Sequence, residues 1–266
     1  MRNKPVSQFD IVIIGGGPAG LAAGIWSGRG RFKTLVIEQA LLGGLAVTTS
    51  IIDNYPGFPE GVTGKGLIEL FYLQAKKYSV QFKLTNVKNI DLLDHIKKIE
   101  TFKNIYEAKV VIIATGKRPK TTGAMNEDKY IGKGISFCSA CDAASNTCKK
   151  VVVVGSNDEA LEESVFLAKF ADEVTVTMNN DMEHMECKPY VKLLALNNPK
   201  IHFKSNTMVE AFEGNEKLEK VILKDIKTHD MVAVPCHSCF EYIGYLPNTD
   251  LFKGLVNLDD EGYIIT

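Results

Sequence analysis

The sequence has no long hydrophobic run, no excess of charge and few cysteines, and each lack removes a class of protein. No apolar stretch approaches the roughly 20 residues that span a bilayer, and Met1 to Asp10 lack the apolar core of a signal peptide. A soluble, cytoplasmic protein is expected. With 31 basic and 32 acidic side chains the net charge is −1. No overall field therefore favours nucleic acid or an anionic membrane, and a charged partner has to be met by a local patch. Six cysteines in 266 residues are too few for a disulfide scaffold, so each is judged by its neighbours. The length and the 45% hydrophobic content suffice for one large or two modest cores, two domains being the better expectation.

One plan occurs twice. Phe9 to Ile14 is a short run rich in β-branched residues, followed by Gly15-Gly16-Gly17-Pro18-Ala19-Gly20 and a helical stretch through Trp26, which reads as strand, tight turn, helix. A second strand, Thr34 to Ile37, ends in Glu38, and a Gly43-Gly44 turn comes next. Apolar residues between Leu67 and Tyr78 fall at helical spacing, and short strands lead to the run Val110 to Ala114. The turn-rich stretch Thr115 to Gly134 reads as a crossing between domains. The plan restarts about 140 residues on, with a strand at Val151 to Val154, a turn at Gly155, a helical face of Ala160, Leu161, Val165 and Ala168, and a strand at Val174 to Thr177. The expected fold class is α/β, with two Rossmann-like three-layer domains of the FAD/NAD(P)-binding type, the second inserted into the first. Expected limits are 1–117, 118–244 and a return over 245–266.

Glycines at 15, 17 and 20 have the spacing at which a strand turns tightly, bare backbone admits a pyrophosphate, and the helix packs onto the sheet. The helix start then aims free N–H groups and its positive dipole end at the phosphates. Glu38, 18 residues after Gly20, stands where an acid can accept hydrogen bonds from an adenosine ribose. The alternative is a mere packing turn.

Cys138-Ser139-Ala140-Cys141 can close a disulfide across one helical turn, and a thiol at a helix start is more acidic because the dipole stabilises its thiolate. Asp142, directly after, supplies a carboxyl able to shuttle a proton. In a chain with dinucleotide motifs this pattern points to thiol–disulfide exchange; a structural pair or a metal site are the alternatives. Cys236-His237-Ser238-Cys239 is a second pair. The 94 residues between the two pairs far exceed the roughly 15 to 20 of zinc ribbons. Strand alternation would send Cys236 and Cys239 to opposite faces, and core filler is the expected role, with an auxiliary redox pair as the alternative. Cys148 and Cys187 read as small buried or incidental residues, and His184, His202 and His229 as surface or packing residues. No metal is expected.

Gly15 to Gly20, then Gly43-Gly44, Asn54-Tyr55-Pro56-Gly57, Ala114-Thr115-Gly116 and Gly134 to Asp142 resemble, in order, the low-molecular-weight thioredoxin reductase family. The resemblance spans nearly the whole chain. It implies an FAD-dependent disulfide reductase with a thioredoxin-like partner. Residues 15 to 20, including Gly15, Gly17, Pro18, Ala19 and Gly20, would hold the pyrophosphate and Glu38 the adenosine. Val87 would lie near the adenine, and Gly43, Gly44, Leu45 and Asn54, with Thr115 and Gly116, along the cofactor. Leu45 stands where the family usually has Gln. Cys141 would take electrons from the flavin, Cys138 would attack the partner disulfide, and Asp142 would be the general acid.

The second turn departs from that pattern. Gly155-Ser156-Asn157-Asp158-Glu159-Ala160 has Asn157 at the middle glycine and two acids where a phosphate would bind. Met178 to Glu183 carries no cation where the family has a His-Arg-Arg run for the 2′-phosphate of NADPH. Asp181 is the candidate acid for an NADH reading. Both departures resemble the ferredoxin-dependent flavin thioredoxin reductases, which lack NADPH-binding motifs. Reduced ferredoxin is then the expected donor, and since ferredoxins are acidic, Lys117, Arg118 and Lys120, or Lys149 and Lys150, are candidate docking cations. Alternatives are an NAD(P)H-dependent enzyme with an atypical site and a degenerate, flavin-poor redox module. At the end, Ile243 to Thr249 resembles the return crossing and Asp260 to Ile265 the strand after it. The family continues with a Gly-Asp strand and a helix that complete the flavin site and a homodimer. Full flavin affinity and dimerisation are therefore expected of a chain that carries those elements after Thr266.

Overall fold

The computed structural model describes residues 4–49, 51–52, 54–185 and 187–266. Two compact units divide the chain, one formed by residues up to Arg118 and from Leu246 onward, the other by Pro119–Tyr245.

In the outer unit the β-branched runs become β1 (Val6–Ile14), β2 (Thr34–Glu38) and β6 (Ile105–Ile113), with β3 (Gln81–Leu84), β4 (Val87–Asp91) and β5 (Lys97–Thr101) completing a sheet of order β3-β2-β1-β6-β5-β4. β1 pairs in parallel with β2 and β6, whereas β4, β5 and β6 form an antiparallel meander. Two helices, α1 (Pro18–Arg29) and α2 (Gly64–Lys77), come after β1 and β2. Alternation along β1 sorts its side chains: Ile13 packs with Ala75 and Val80, while Val12 and Ile14 pack on the other face with Ile90, Ile99 and Phe252.

The stretch expected to be a crossing is mostly not one. Only β7 (Lys117–Pro119) connects, pairing with the returning β16 (Tyr245–Pro247). The rest folds into the inner unit, because α3 (Glu127–Tyr130) buries Tyr130 in its core. There β8 (Ile135–Ser136), α4 (Ser139–Asp142), β9 (Lys150–Val154), α5 (Asp158–Leu167), β10 (Glu173–Thr177), α6 (Pro189–Leu196), β11 (Ile201–Lys204) and β15 (Ser238–Glu241) build a parallel sheet, β11-β10-β9-β15-β8. A three-stranded antiparallel sheet of β12 (Thr207–Gly214), β13 (Leu218–Asp225) and β14 (Met231–Pro235) lies over one face. The valine run of β9 shows why both faces are covered: Val151 and Val153 pack with α5 and α6, Val152 and Val154 with Phe212, Val221 and Val234. Among the described residues no helix is long and apolar enough to cross a membrane.

Candidate active site

The glycines after β1 are there for two different reasons. Gly15 has φ +108°, and a Cβ on Gly20 would fall on the Gly15 carbonyl oxygen, so both positions are set by backbone geometry. Gly17 has an ordinary φ of −75°, and a Cβ there would meet nothing nearer than Gly44 Cα, at 4.0 Å. Its bareness leaves open space over the turn, which is what an approaching pyrophosphate needs. Gly17 caps α1 without a side chain, and none among the described residues replaces it, so the N–H groups of Ala19 and Gly20 in the first turn are open to an anion. The Gly43 N–H donates to Gly16 O at 2.8 Å, which pins the Gly43-Gly44 turn, and the single 3-10 turn Gly44–Thr48 holding Leu45, against this loop.

Glu38 ends β2 with both carboxylate oxygens engaged: Oε2 accepts the Gly16 N–H at 2.8 Å and Oε1 the Ala40 N–H at 3.1 Å. It therefore shapes the turn as well as lining a cleft of ≈ 390 Å³ with Gly15, Val87 and Thr115. Asn54 is exposed and does not line this cleft, and Gly116 is an exposed turn residue with φ +62°. Among the lining residues that were not foreseen are Arg118, Asn248, Asp250 and Leu251. Asn248 Nδ2 donates to Thr115 O at 2.9 Å, and Arg118 donates to Asn248 Oδ1 at 2.8 Å and pairs with Asp250 at 3.8 Å. The Pro247-Asn248-Thr249 segment was readable as a return crossing; that it also closes the cleft was not. Arg118, one of the candidate docking cations, thus also braces this cleft while its side chain stays half exposed. Lys150 likewise pairs with Glu173 at 2.7 Å, and Lys149 donates to Ser145 O at 2.7 Å. An acid at the ribose end, apolar Val87 and Leu251, and bare backbone at Gly17 fit the adenosine pyrophosphate of FAD.

Cys138 and Cys141 form a disulfide with their Cα atoms 5.4 Å apart. Cys138 is half-buried and caps α4, its Sγ accepting the Cys141 N–H at 3.2 Å, while Cys141 is exposed. The macrodipole expected to activate the thiol is largely missing, because α4 is a single turn that passes into a 3-10 turn at Ala144–Asn146. One local N–H takes its place. Asp142 is half-buried, and its carbonyl oxygen accepts from Ser145 Oγ and Asn146 Nδ2. Behind the dithiol lies a network with no sequence signal. Ser139, 2% exposed, donates its N–H to Tyr242 Oη at 2.7 Å and its Oγ to a carboxylate oxygen of Glu163 on α5. Burial, then Glu159 and Glu162 nearby, push Glu163 up to about 6.

At the second turn Gly155 has φ +139°, but the helix start is closed: Asn157 Oδ1 accepts the Ala160 N–H at 2.9 Å and caps α5. Asp158 accepts the Lys188 N–H at 2.6 Å, and Glu159 accepts from Tyr245 Oη at 2.6 Å. A cleft of ≈ 320 Å³ remains, lined by Ser156, Asn157, Thr177, Asn179 and Tyr242 among others, with no cation among the described residues of its lining. Asp181, the candidate NADH acid, spends one oxygen on its own turn. Its Oδ1 accepts the Glu183 and His184 N–H groups and lies 2.6 Å from His184 Nδ1, and the imidazole beside it holds Asp181 below the usual carboxylate range.

The second cysteine pair does not straddle a sheet. Cys236 lies in the two-residue link between β14 and β15, where a bend at His237 breaks the alternation, so both thiols enter one core with Val152 and Phe212. Burial pushes Cys236 up to about 12 and raises Cys239 as well, which makes both poor nucleophiles. Cys148, expected to be buried or incidental, is exposed. Among the described residues no group of three His, Cys, Asp or Glu is arranged to hold a metal.

Two units of one plan, the inner one carrying a Cys-x-x-Cys disulfide and the outer one a cleft for a dinucleotide, define a disulfide oxidoreductase. The family model for pyridine nucleotide-disulphide oxidoreductases matches residues 9–266. A thioredoxin reductase from Peptoclostridium acidaminophilum is 38% identical over 264 residues, 97% of this chain and 83% of that protein. A 34.2 kDa protein in a rubredoxin operon of Clostridium pasteurianum is 35% identical over 99% of this chain and 85% of its own. The crystal structure of Lactococcus lactis thioredoxin reductase in its FR conformation superposes with a TM-score of 0.80 at 30% identity, covering 97% of this chain and 84% of that one. The chain belongs to the low-molecular-weight, bacterial-type thioredoxin reductase family, whose members are FAD-binding flavoproteins.

Proposed function

We propose that this protein carries electrons through FAD and the Cys138–Cys141 dithiol to the disulfide of thioredoxin or a similar small protein, and that its donor is a protein, reduced ferredoxin, in place of NADPH. The closed start of α5 carries this reading. Asn157 takes the N–H that a phosphate would use, Asp158 and Glu159 come directly after it, and among the described residues no cation lines the cleft.

In the outer unit Gly15, Gly17, Pro18, Ala19 and Gly20 would hold the pyrophosphate and Glu38 with Val87 the adenosine. Gly43, Gly44, Leu45, Asn54, Thr115 and Gly116 would lie along the rest. FAD bound there supplies a two-electron store. Two electrons and two protons convert the Cys138–Cys141 disulfide to a dithiol. The Cys138 thiolate, stabilised by the Cys141 N–H, attacks one sulfur of the partner disulfide and expels the other as thiolate. Asp142 delivers a proton to it. The Cys141 thiolate then attacks Cys138, releasing the reduced partner and restoring the intramolecular disulfide.

Anaerobic titration tests the donor. Flavin absorbance of the purified protein is expected to bleach on adding reduced ferredoxin and to persist with NADPH or NADH. Bleaching by micromolar NADPH would instead assign the ≈ 320 Å³ inner cleft to a nicotinamide nucleotide. Cys141→Ser is expected to keep flavin bleaching and lose transfer to a protein disulfide, and full turnover in that variant would overturn the dithiol.

A further inference from the structure

Ser139 separates the two sulfurs of the active pair in sequence, and both its polar groups are tied to the inner unit rather than to solvent. Its N–H meets Tyr242 Oη at 2.7 Å, and its Oγ donates to Glu163. Tyr242 is 5% exposed, so the dithiol turn rests on a buried phenol and a half-buried carboxyl. We propose that Glu163 is a positioning residue of the dithiol: by holding the Ser139 hydroxyl it fixes the Cys138–Cys141 turn, and its charge sets the acidity and reduction potential of the pair. This rests on the proposed role of that pair.

The placement has two physical consequences. A carboxylate behind the turn disfavours a second negative charge at a neighbouring thiolate, so the charge on Glu163 favours the disulfide over the thiolate form and makes the couple more reducing. The charged and titratable groups around Glu163 are Glu159 and Glu162 on its own helix and Tyr242 and Tyr245 after β15. Among the described residues, this set includes no cation. Burial and these acids place its titration at about 6, so the charge is present at pH 7 and lost below.

The test compares Glu163→Gln, which keeps an acceptor for Ser139 Oγ but removes the charge, with Ser139→Ala, which removes the donor and keeps the charge. In the reduced FAD-loaded protein, alkylation of Cys138 by iodoacetamide is measured against pH by peptide mass, which separates it from the exposed Cys148. The potential of the couple is read against glutathione, each disulfide reduced consuming two glutathione thiols and yielding one glutathione disulfide. Glu163→Gln is expected to shift the Cys138 alkylation profile down by about half a pH unit, with about threefold faster alkylation at pH 7, and to make the couple more oxidising. It should also abolish the bend in the potential near pH 6. Ser139→Ala is expected to retain that bend and to slow transfer to the partner. An isosteric variant whose profile and potential overlay the wild type overturns the proposal while leaving the dithiol in place. A wild-type protein with no measurable Cys138–Cys141 couple removes both this inference and the functional reading beneath it.

Discussion

Gly17 and Gly44 face each other across the first glycine turn with room to spare, since a Cβ built on Gly17 comes no closer than 4.0 Å to Gly44 Cα. Two alanine substitutions only three residues apart should therefore behave oppositely. Gly17→Ala, at an ordinary φ of −75°, is expected to fold with unchanged or slightly raised stability, a gain of up to about 1 kcal/mol from the unfolded chain. The methyl group occupies the phosphate approach, so purified protein should carry at least about tenfold less flavin, read as the ratio of flavin to protein absorbance. Gly20→Ala puts its Cβ on the Gly15 carbonyl and should lower the urea midpoint or abolish folding. A Gly17→Ala protein purified with full flavin would show that the open space is not the cofactor's.

The fold was legible because its signals are local. The continuous valine run at Val151 to Val154, the glycine triplet and the acid at Glu38 each state a backbone need within a few residues, and the structure places strands and turns there. The site was less legible where it depends on residues far apart in sequence. Asn248 and Asp250 reach the outer cleft from a segment over 200 residues away from Gly15, and Glu163 reaches Ser139 from a different helix. Nothing in the spacing of either announces the contact. The Cys236/Cys239 reading failed on faces for a local reason, a bend that interrupts the strand.

At α5 the cap gives a prediction of stability without one of catalysis. Asn157→Ala removes the acceptor of the Ala160 N–H and should cost about 1 kcal/mol, seen as a lower midpoint in chemical denaturation. Flavin content and ferredoxin-driven turnover should be unchanged. A large loss of turnover at unchanged stability would place Asn157 in the electron path and sink the reading of it as a cap.

Cys236 and Cys239 sit in the same core as Val152 and Phe212. The double variant Cys236→Ala, Cys239→Ala should retain disulfide reductase turnover and lose on the order of 1 to 3 kcal/mol of stability through the volume left behind. Loss of turnover in a protein that still folds would make them a second redox pair.

Glu241, 2% exposed, offers the sharpest pH dependence. No hydrogen-bond donor among the described residues reaches either of its oxygens. Beside it, the Glu127 carboxyl accepts the Thr122 N–H, the Thr122 hydroxyl and the Gly123 N–H. Burial first, and the Glu127 carboxyl second, push Glu241 up to about 9 from an ordinary value of 4.5. Its folded-state value lies above the unfolded one, so the folded chain holds a proton that the unfolded chain has released at any pH between the two. Stability from this group is therefore full below about 4.5 and falls as pH rises towards 9, by up to about 1.4 kcal/mol per pH unit. Glu241→Gln keeps the shape, carries no titrating proton and can donate to Glu127. Urea midpoints measured from pH 5 to 9 should fall in the wild type and stay nearly flat in this variant, leaving it on the order of 1 kcal/mol or more the more stable at pH 8. Parallel curves across that range would mean that Glu241 is already ionised in the folded protein and finds a donor at its oxygens.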